Sequence, residues 1–130
     1  MQQDNQNKGP FPRDKEEALK FSNDILQVMY DDQYHANLVK QLQNVDEQNK
    51  PHALGLMASN IIGDRVADVR AQTGKQVEMK LVIDGLKTVI SELTGIAEDN
   101  KLFKTSPEEE NAALRSSVET LDQIGAQNGQ

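Results

Sequence analysis

The chain has no cysteine and no tryptophan, and only two tyrosines and three phenylalanines. Without a thiol there is no disulfide framework, no thiolate nucleophile and no cysteine-based zinc site. With so few rings, a core has to be assembled from Leu, Ile, Val, Met and Ala. That palette suits helix-on-helix packing better than a sandwich of short strands. Basic charge is also short. Fourteen Lys and Arg stand against 21 Asp and Glu, for a net charge of −7, and the basic residues are scattered singly. Non-specific binding to DNA or RNA draws on clustered cations that neutralise phosphate, so no direct nucleic-acid binding is expected. No apolar run approaches the roughly 18–20 residues of a membrane span. The opening Met1-Gln2-Gln3-Asp4-Asn5-Gln6-Asn7 has no apolar h-region, so no secretory signal peptide is expected either.

What the chain does have is helical periodicity. At 130 residues and 36% hydrophobic content it fits one domain with a modest aliphatic core. The clearest pattern lies in residues 51–98. Leu54, Met57, Ile61, Ile62, Val66 and Val69 recur mostly at three- and four-residue steps. After Ala71-Gln72-Thr73-Gly74-Lys75 the stripe resumes as Leu81, Val82, Leu86, Val89, Ile90, Leu93 and Ile96. Such stripes pack against other helices. In a chain this polar, burying a helix face against a second subunit is a natural remedy, so a homo-oligomer is one expectation.

The boundaries follow from local signals. Residues 1–12 read as a disordered, polar N-terminal arm, in which the prolines around Phe11 favour an extended backbone. Phe11 is the apolar anchor there, placed to staple onto the first helix or to dock on a neighbour. Asp14 and Glu17 have capping-box spacing for a first helix that buries Ala18, Phe21, Ile25, Leu26 and Met29. Asp31-Asp32 interrupts it, and a shorter helix carries Tyr34, Leu38, Leu42 and Val45. Residues 44–50 look polar and turn-like. Pro51 suits the first turn of a third helix, and Gly74 suits its left-handed end. The fourth helix is expected over about residues 77–98, with Gly85 and Gly95 as weak points, Asn100 ending it, and Leu102 and Phe103 folding back. Ser106-Pro107-Glu108-Glu109 combines an N-cap Ser, Pro at the first helical position and a Glu at capping-box spacing. The fifth helix carries Ala113, Leu114, Val118, Leu121 and Ile124 before a polar tail at residues 125–130. The predicted architecture is an all-α bundle of about five helices over residues 13–124, with flexible polar termini.

Chemistry is thinly represented. Asp31, Asp32 and His35 could hold one ion from a single helical turn, but a helix start followed by a solvated His is the commoner meaning of those residues. Asp64 and Asp68 share a helix face with Arg65 and Arg70 nearby, which reads as a solvated surface rather than an acid–base pair. Asp84 lies within an apolar helix, pointing outward or pairing across an interface. Gly74-Lys75 lacks the rest of a phosphate-binding loop. No catalytic, cofactor or metal residue is assigned, and the chain reads as non-enzymatic. The protein-interaction candidates are Phe11, Leu102 and Phe103 as exposed apolar groups. Gly55, Ser59 and Gly63 join them, with Ala58, as small residues that admit a close helix crossing, within the chain or between subunits.

Three segments carry a family resemblance. The first is Ile25-Leu26-Gln27-Val28-Met29-Tyr30-Asp31 followed by a short helix with Leu38 and Leu42. The second is the helix from His52-Ala53-Leu54 to Val69. The third is Val82-Ile83-Asp84-Gly85-Leu86-Lys87-Thr88-Val89-Ile90-Ser91-Glu92-Leu93, leading to Ile96-Ala97-Glu98. In order, spacing and residue type, residues 17–98 resemble small helical bacteriophage virion-associated structural proteins. The resemblance implies a component or assembly factor of a phage particle, near the portal or among proteins ejected with the genome. Its partners would be copies of itself or other virion proteins, and its location the virion or the host cytoplasm. The alternative is an acidic cytoplasmic assembly chaperone or regulatory adaptor that binds a client protein through a helical groove.

Overall fold

The stripes become five α-helices in a computed structural model, which describes residues 15–128 and their side chains as far as Asp122. They are α1 (Lys15–Met29), α2 (Asp32–Gln43), α3 (Lys50–Thr73), α4 (Met79–Asp99) and α5 (Pro107–Asn128), with a 3-10 turn at Glu47–Asn49 before α3. The chain is thus an all-α helical bundle. Asp14, Phe11 and the rest of the N-terminal arm lie outside the described residues, as does the side chain of Ile124.

The helix ends are set by residues suited to them. Asp31 caps α2, its carboxylate accepting the Tyr34 N–H at 3.3 Å. Gly74 closes α3 at φ 71°, a left-handed conformation that costs glycine little, and its N–H donates to the Arg70 carbonyl at 2.8 Å. Past the Asn100 cap of α4, the Lys101 N–H donates to Glu98 O at 3.0 Å and the Leu102 N–H to Ala97 O at 2.9 Å. That pair of bonds is a Schellman motif, with Lys101 at φ 58° in the position glycine usually takes. At the start of α5 the capping box is reciprocal. The Glu109 N–H donates to Ser106 Oγ at 3.1 Å, and the Ser106 N–H donates to Glu109 Oε1 at 2.9 Å.

Three boundaries differ from the sequence reading. Helix α2 ends at Gln43, so Val45 packs on the core from the following turn. Helix α4 begins at Met79, because Glu78 is its extended N-cap (ψ 138°). Helix α5 runs to Asn128, past the domain limit placed at residue 124.

Packing is most extensive between α3 and α5. They run parallel: Lys50 pairs with Glu109, Gly55 faces Ala113 and Ser116, and Gly63 faces Leu121. Helix α4 returns against both of them, and α1 packs against α4. Phe21 and Ile25 of α1 meet α4 at Gly85, and Tyr30 at the end of α1 donates a hydrogen bond to Glu92. Helix α1 therefore runs parallel to α4. The fully buried Leu54, Ile62, Leu86, Val89, Leu93 and Ala97 form the centre, closed at one end by Met29, Leu38 and Leu42.

Candidate protein-docking groove

Helix α4 has more apolar surface at its start than one neighbour can cover. Leu81 is buried, and Gly85 faces Ile62 of α3 and Phe21 and Ile25 of α1. Met79, Val82, Ile83 and Leu86, at helical positions i, i+3, i+4 and i+7, form a second stripe. That stripe floors a groove of about 640 Å³. One wall comes from the C-terminal half of α3, with Gly63, Val66, Ala67 and Arg70; the other comes from α5, with Val118, Leu121 and Asp122. Gln76 and Val77 close the end beside the α3–α4 connection. The lining is chiefly aliphatic, and its two charged groups, Arg70 and Asp122, both belong to exposed residues. Leu86 is fully buried, whereas Met79 is 58% exposed. The groove thus has a floor that belongs to the core and a rim that does not.

A second concavity, about 580 Å³, lies between α1 and α3 and is polar. Its lining holds two cations, Lys20 and Arg65, and two carboxylates, Asp24 and Asp31. Lys20 pairs with Asp24 at 2.9 Å, Arg65 with Asp68 at 3.6 Å, and Asp31 is committed to its cap. Burial, and then the charge of Asp64, push the Tyr34 hydroxyl above its ordinary pKa, which leaves it protonated. The Arg65 Nε is buried without a hydrogen-bond partner. Charges already paired inside the chain leave little net field to hold an ion.

The histidines are placed structurally. His35 stacks on Tyr30 with ring centroids 5.2 Å apart, and its Nδ1 is 3.3 Å from the Met29 carbonyl. His52 Nδ1 lies 3.4 Å from Ser116 Oγ across the α3–α5 crossing. Among the described residues no three His, Asp or Glu side chains converge as a metal site. Asp84 is exposed.

The sequence-derived interaction residues separate. Gly55 lies inside the α3–α5 crossing of this same chain, where a Cβ would come within 2.7 Å of the Ala113 carbonyl oxygen, and Ser59 is buried, its hydroxyl donating to the Leu56 carbonyl. Leu102 and Phe103 are half-buried against the core. Gly63 alone of the set lines the groove, and Phe11 lies outside the described residues.

Two features escaped the sequence reading. One is the second stripe of α4, whose signal was available: apolar residues at 77, 79, 81, 82, 83 and 86 are too many for a single helix face. The other is Lys50, placed in a polar turn by its neighbours yet only 5% exposed. Its Nζ donates to the Lys104 carbonyl at 2.7 Å, pairs with Glu109 at 3.2 Å and Glu47 at 3.3 Å, and sits 5.4 Å from the centre of the Phe103 ring. Burial pulls the Lys50 pKa down, but the hydrogen bonds to Glu109 and Glu47 outweigh it and raise it. No sequence signal marks a contact between residues 50 and 104. No helix of the described residues is long and apolar enough to cross a membrane. No protein-family model matches the chain, and no significant match to a curated protein or a solved structure is found.

Proposed function

We propose that this chain is a non-enzymatic structural and interaction protein that docks an apolar segment of a protein partner in the groove between α3, α4 and α5. The observation that carries the reading is the second apolar stripe of α4. A floor of Val82, Ile83 and Leu86, walls from two further helices and charges only on exposed residues are the features of a helix- or peptide-accepting groove. The resemblance of residues 17–98 supplies the setting, a bacteriophage particle in which partners are other virion proteins or further copies of the chain. An assembly chaperone or adaptor acting in the host cytoplasm would use the same groove on a client.

Mass spectrometry of density-purified particles, with the unbound lysate as control, separates the two settings. Stoichiometric recovery with the particles is the expected result. Recovery in the lysate alone, together with one co-purifying protein, would replace the virion reading with the chaperone one. Absence of any partner in both fractions would remove the docking function itself.

A further inference from the structure

We propose that Met79 is a reversible oxidation site: peroxide converts its thioether to the sulfoxide while the bundle stays folded, and the groove then loses its affinity for apolar ligands. The reactivity stands on burial alone, whereas the consequence rests on the docking reading above.

The first observation is access. Three of the four methionines lie among the described residues, and they differ sharply. Met29 is fully buried, Met57 is 8% exposed and Met79 is 58% exposed. Its chain neighbours Glu78 and Lys80 are exposed too, so water and small oxidants reach it directly. An oxidant reaches Met29 or Met57 only when the core opens locally, which is a rare event in a packed helix.

The second observation is that the fold does not depend on this side chain. Met79 is the first residue of α4, after the Glu78 cap, and the helix is held in the core by Leu86, Val89 and Leu93 further along. Adding one oxygen to an exposed group at that end disturbs none of them.

The third is position. Met79 supplies the one sulfur among the side chains that line the groove, which otherwise offer aliphatic carbon, amide and two exposed charges. A thioether is soft and apolar and adapts to varied apolar surfaces; its sulfoxide is polar and a hydrogen-bond acceptor. Val82, Ile83 and Leu86 on the same stripe carry no side-chain donor to satisfy that oxygen once an apolar ligand has displaced water from it.

The step balances without a cofactor. The sulfur lone pair attacks one oxygen of hydrogen peroxide, the S–O bond forms and the O–O bond breaks. The proton on the transferred oxygen passes to the departing hydroxide, which leaves as water. Sulfur gives up two electrons and peroxide takes them. Methionine sulfoxide reductases, one for each epimer, reverse the change.

The test treats the full-length chain with a brief pulse of hydrogen peroxide and maps the products by peptide mass spectrometry. Met79 should oxidise at nearly its rate in urea, and Met57 and Met29 at least about tenfold more slowly. The Tm of the oxidised chain should stay within about 2 °C of the parent. The apolar probe is 8-anilinonaphthalene-1-sulfonate, with the methyl resonances of Val82 and Ile83 showing that it sits in the groove. Its affinity should fall at least about tenfold on oxidation and return after treatment with both reductases. Met79→Leu should bind the dye as the parent does, before and after peroxide. Oxidation of Met57 or Met29 as fast as Met79 overturns the proposal, as does a dye affinity equal before and after oxidation, with the docking reading left in place. A dye that leaves the Val82 and Ile83 methyls unmoved in the untreated chain overturns the docking reading and the consequence drawn from it.

Discussion

At the residue scale, the same substitution has opposite effects at two glycines of this bundle. A methyl on Gly55 would meet the Ala113 carbonyl oxygen at 2.7 Å and Ser116 Cβ at 2.9 Å. A carbonyl held in the α5 backbone has no rotamer to escape into, so Gly55→Ala has to push α3 and α5 apart. Overpacking of that kind costs about 1–3 kcal/mol, against a gain in helix propensity of up to about 1 kcal/mol. At Gly95 a methyl meets nothing within 4 Å. Gly95→Ala should therefore stabilise the chain by about 0.5–1 kcal/mol. Urea denaturation of the two variants beside the parent checks both signs. A neutral Gly55→Ala would show that the α3–α5 crossing is looser than the structure has it. The spacing of Gly55, Ala58, Ser59 and Gly63 made a tight crossing legible in the sequence. It could not say which helix crosses, because small residues admit a neighbour from the same chain and from another subunit equally well.

At the scale of elements, the start of α5 depends on a charge. The Ser106 backbone N–H, and then Lys50, hold the Glu109 carboxyl below its ordinary value of 4.5, with burial opposing them. A depressed pKa contributes stability that is fully present above that ordinary value and is lost as pH falls through the lower, folded-state value. Lys50 acts in the opposite sense. Its raised pKa contributes stability that is complete below 10.5 and fades as pH rises through the folded value. The node is therefore intact at neutral pH, and its acid limb belongs to Glu109. Glu109→Gln keeps the shape of the capping box but removes the charge. It should lower Tm at neutral pH and flatten the fall in Tm as pH drops below the ordinary carboxyl value of 4.5. Parallel pH–Tm curves for the variant and the parent would rule this linkage out. The capping box was legible because its residues are three apart. The ion pair was not, since Lys50 and Glu109 meet only once α3 and α5 lie parallel. Local chemistry is written in the sequence at this scale, and long-range partnership is not.

At the scale of the whole molecule, the number of helices and most of their inward faces follow from periodicity, whereas the groove follows from how α5 is set against the α3–α4 pair. Residues 79–86 supply both the core and a surface, and two substitutions separate those roles. Leu86 is fully buried, so Leu86→Asp places a carboxylate among aliphatic side chains with no partner. That penalty, several kcal/mol even after the carboxyl takes up a proton, is comparable with the roughly 5–15 kcal/mol that holds a domain together. Loss of cooperative unfolding by circular dichroism is the expected result. Met79 sits on the same stripe but is 58% exposed, and Met79→Glu leaves its charge in water. Its Tm should stay within about 2 °C of the parent, the shift expected for a surface change below 0.5 kcal/mol. A carboxylate on the rim would nonetheless be desolvated by any apolar segment entering the groove. Partner capture by Met79→Glu should therefore fall at least about tenfold, a cost of 1.4 kcal/mol. Because the variant folds, that loss is attributable to the groove alone. A Met79→Glu chain that captures its partner as well as the parent would move the docking surface elsewhere on the bundle.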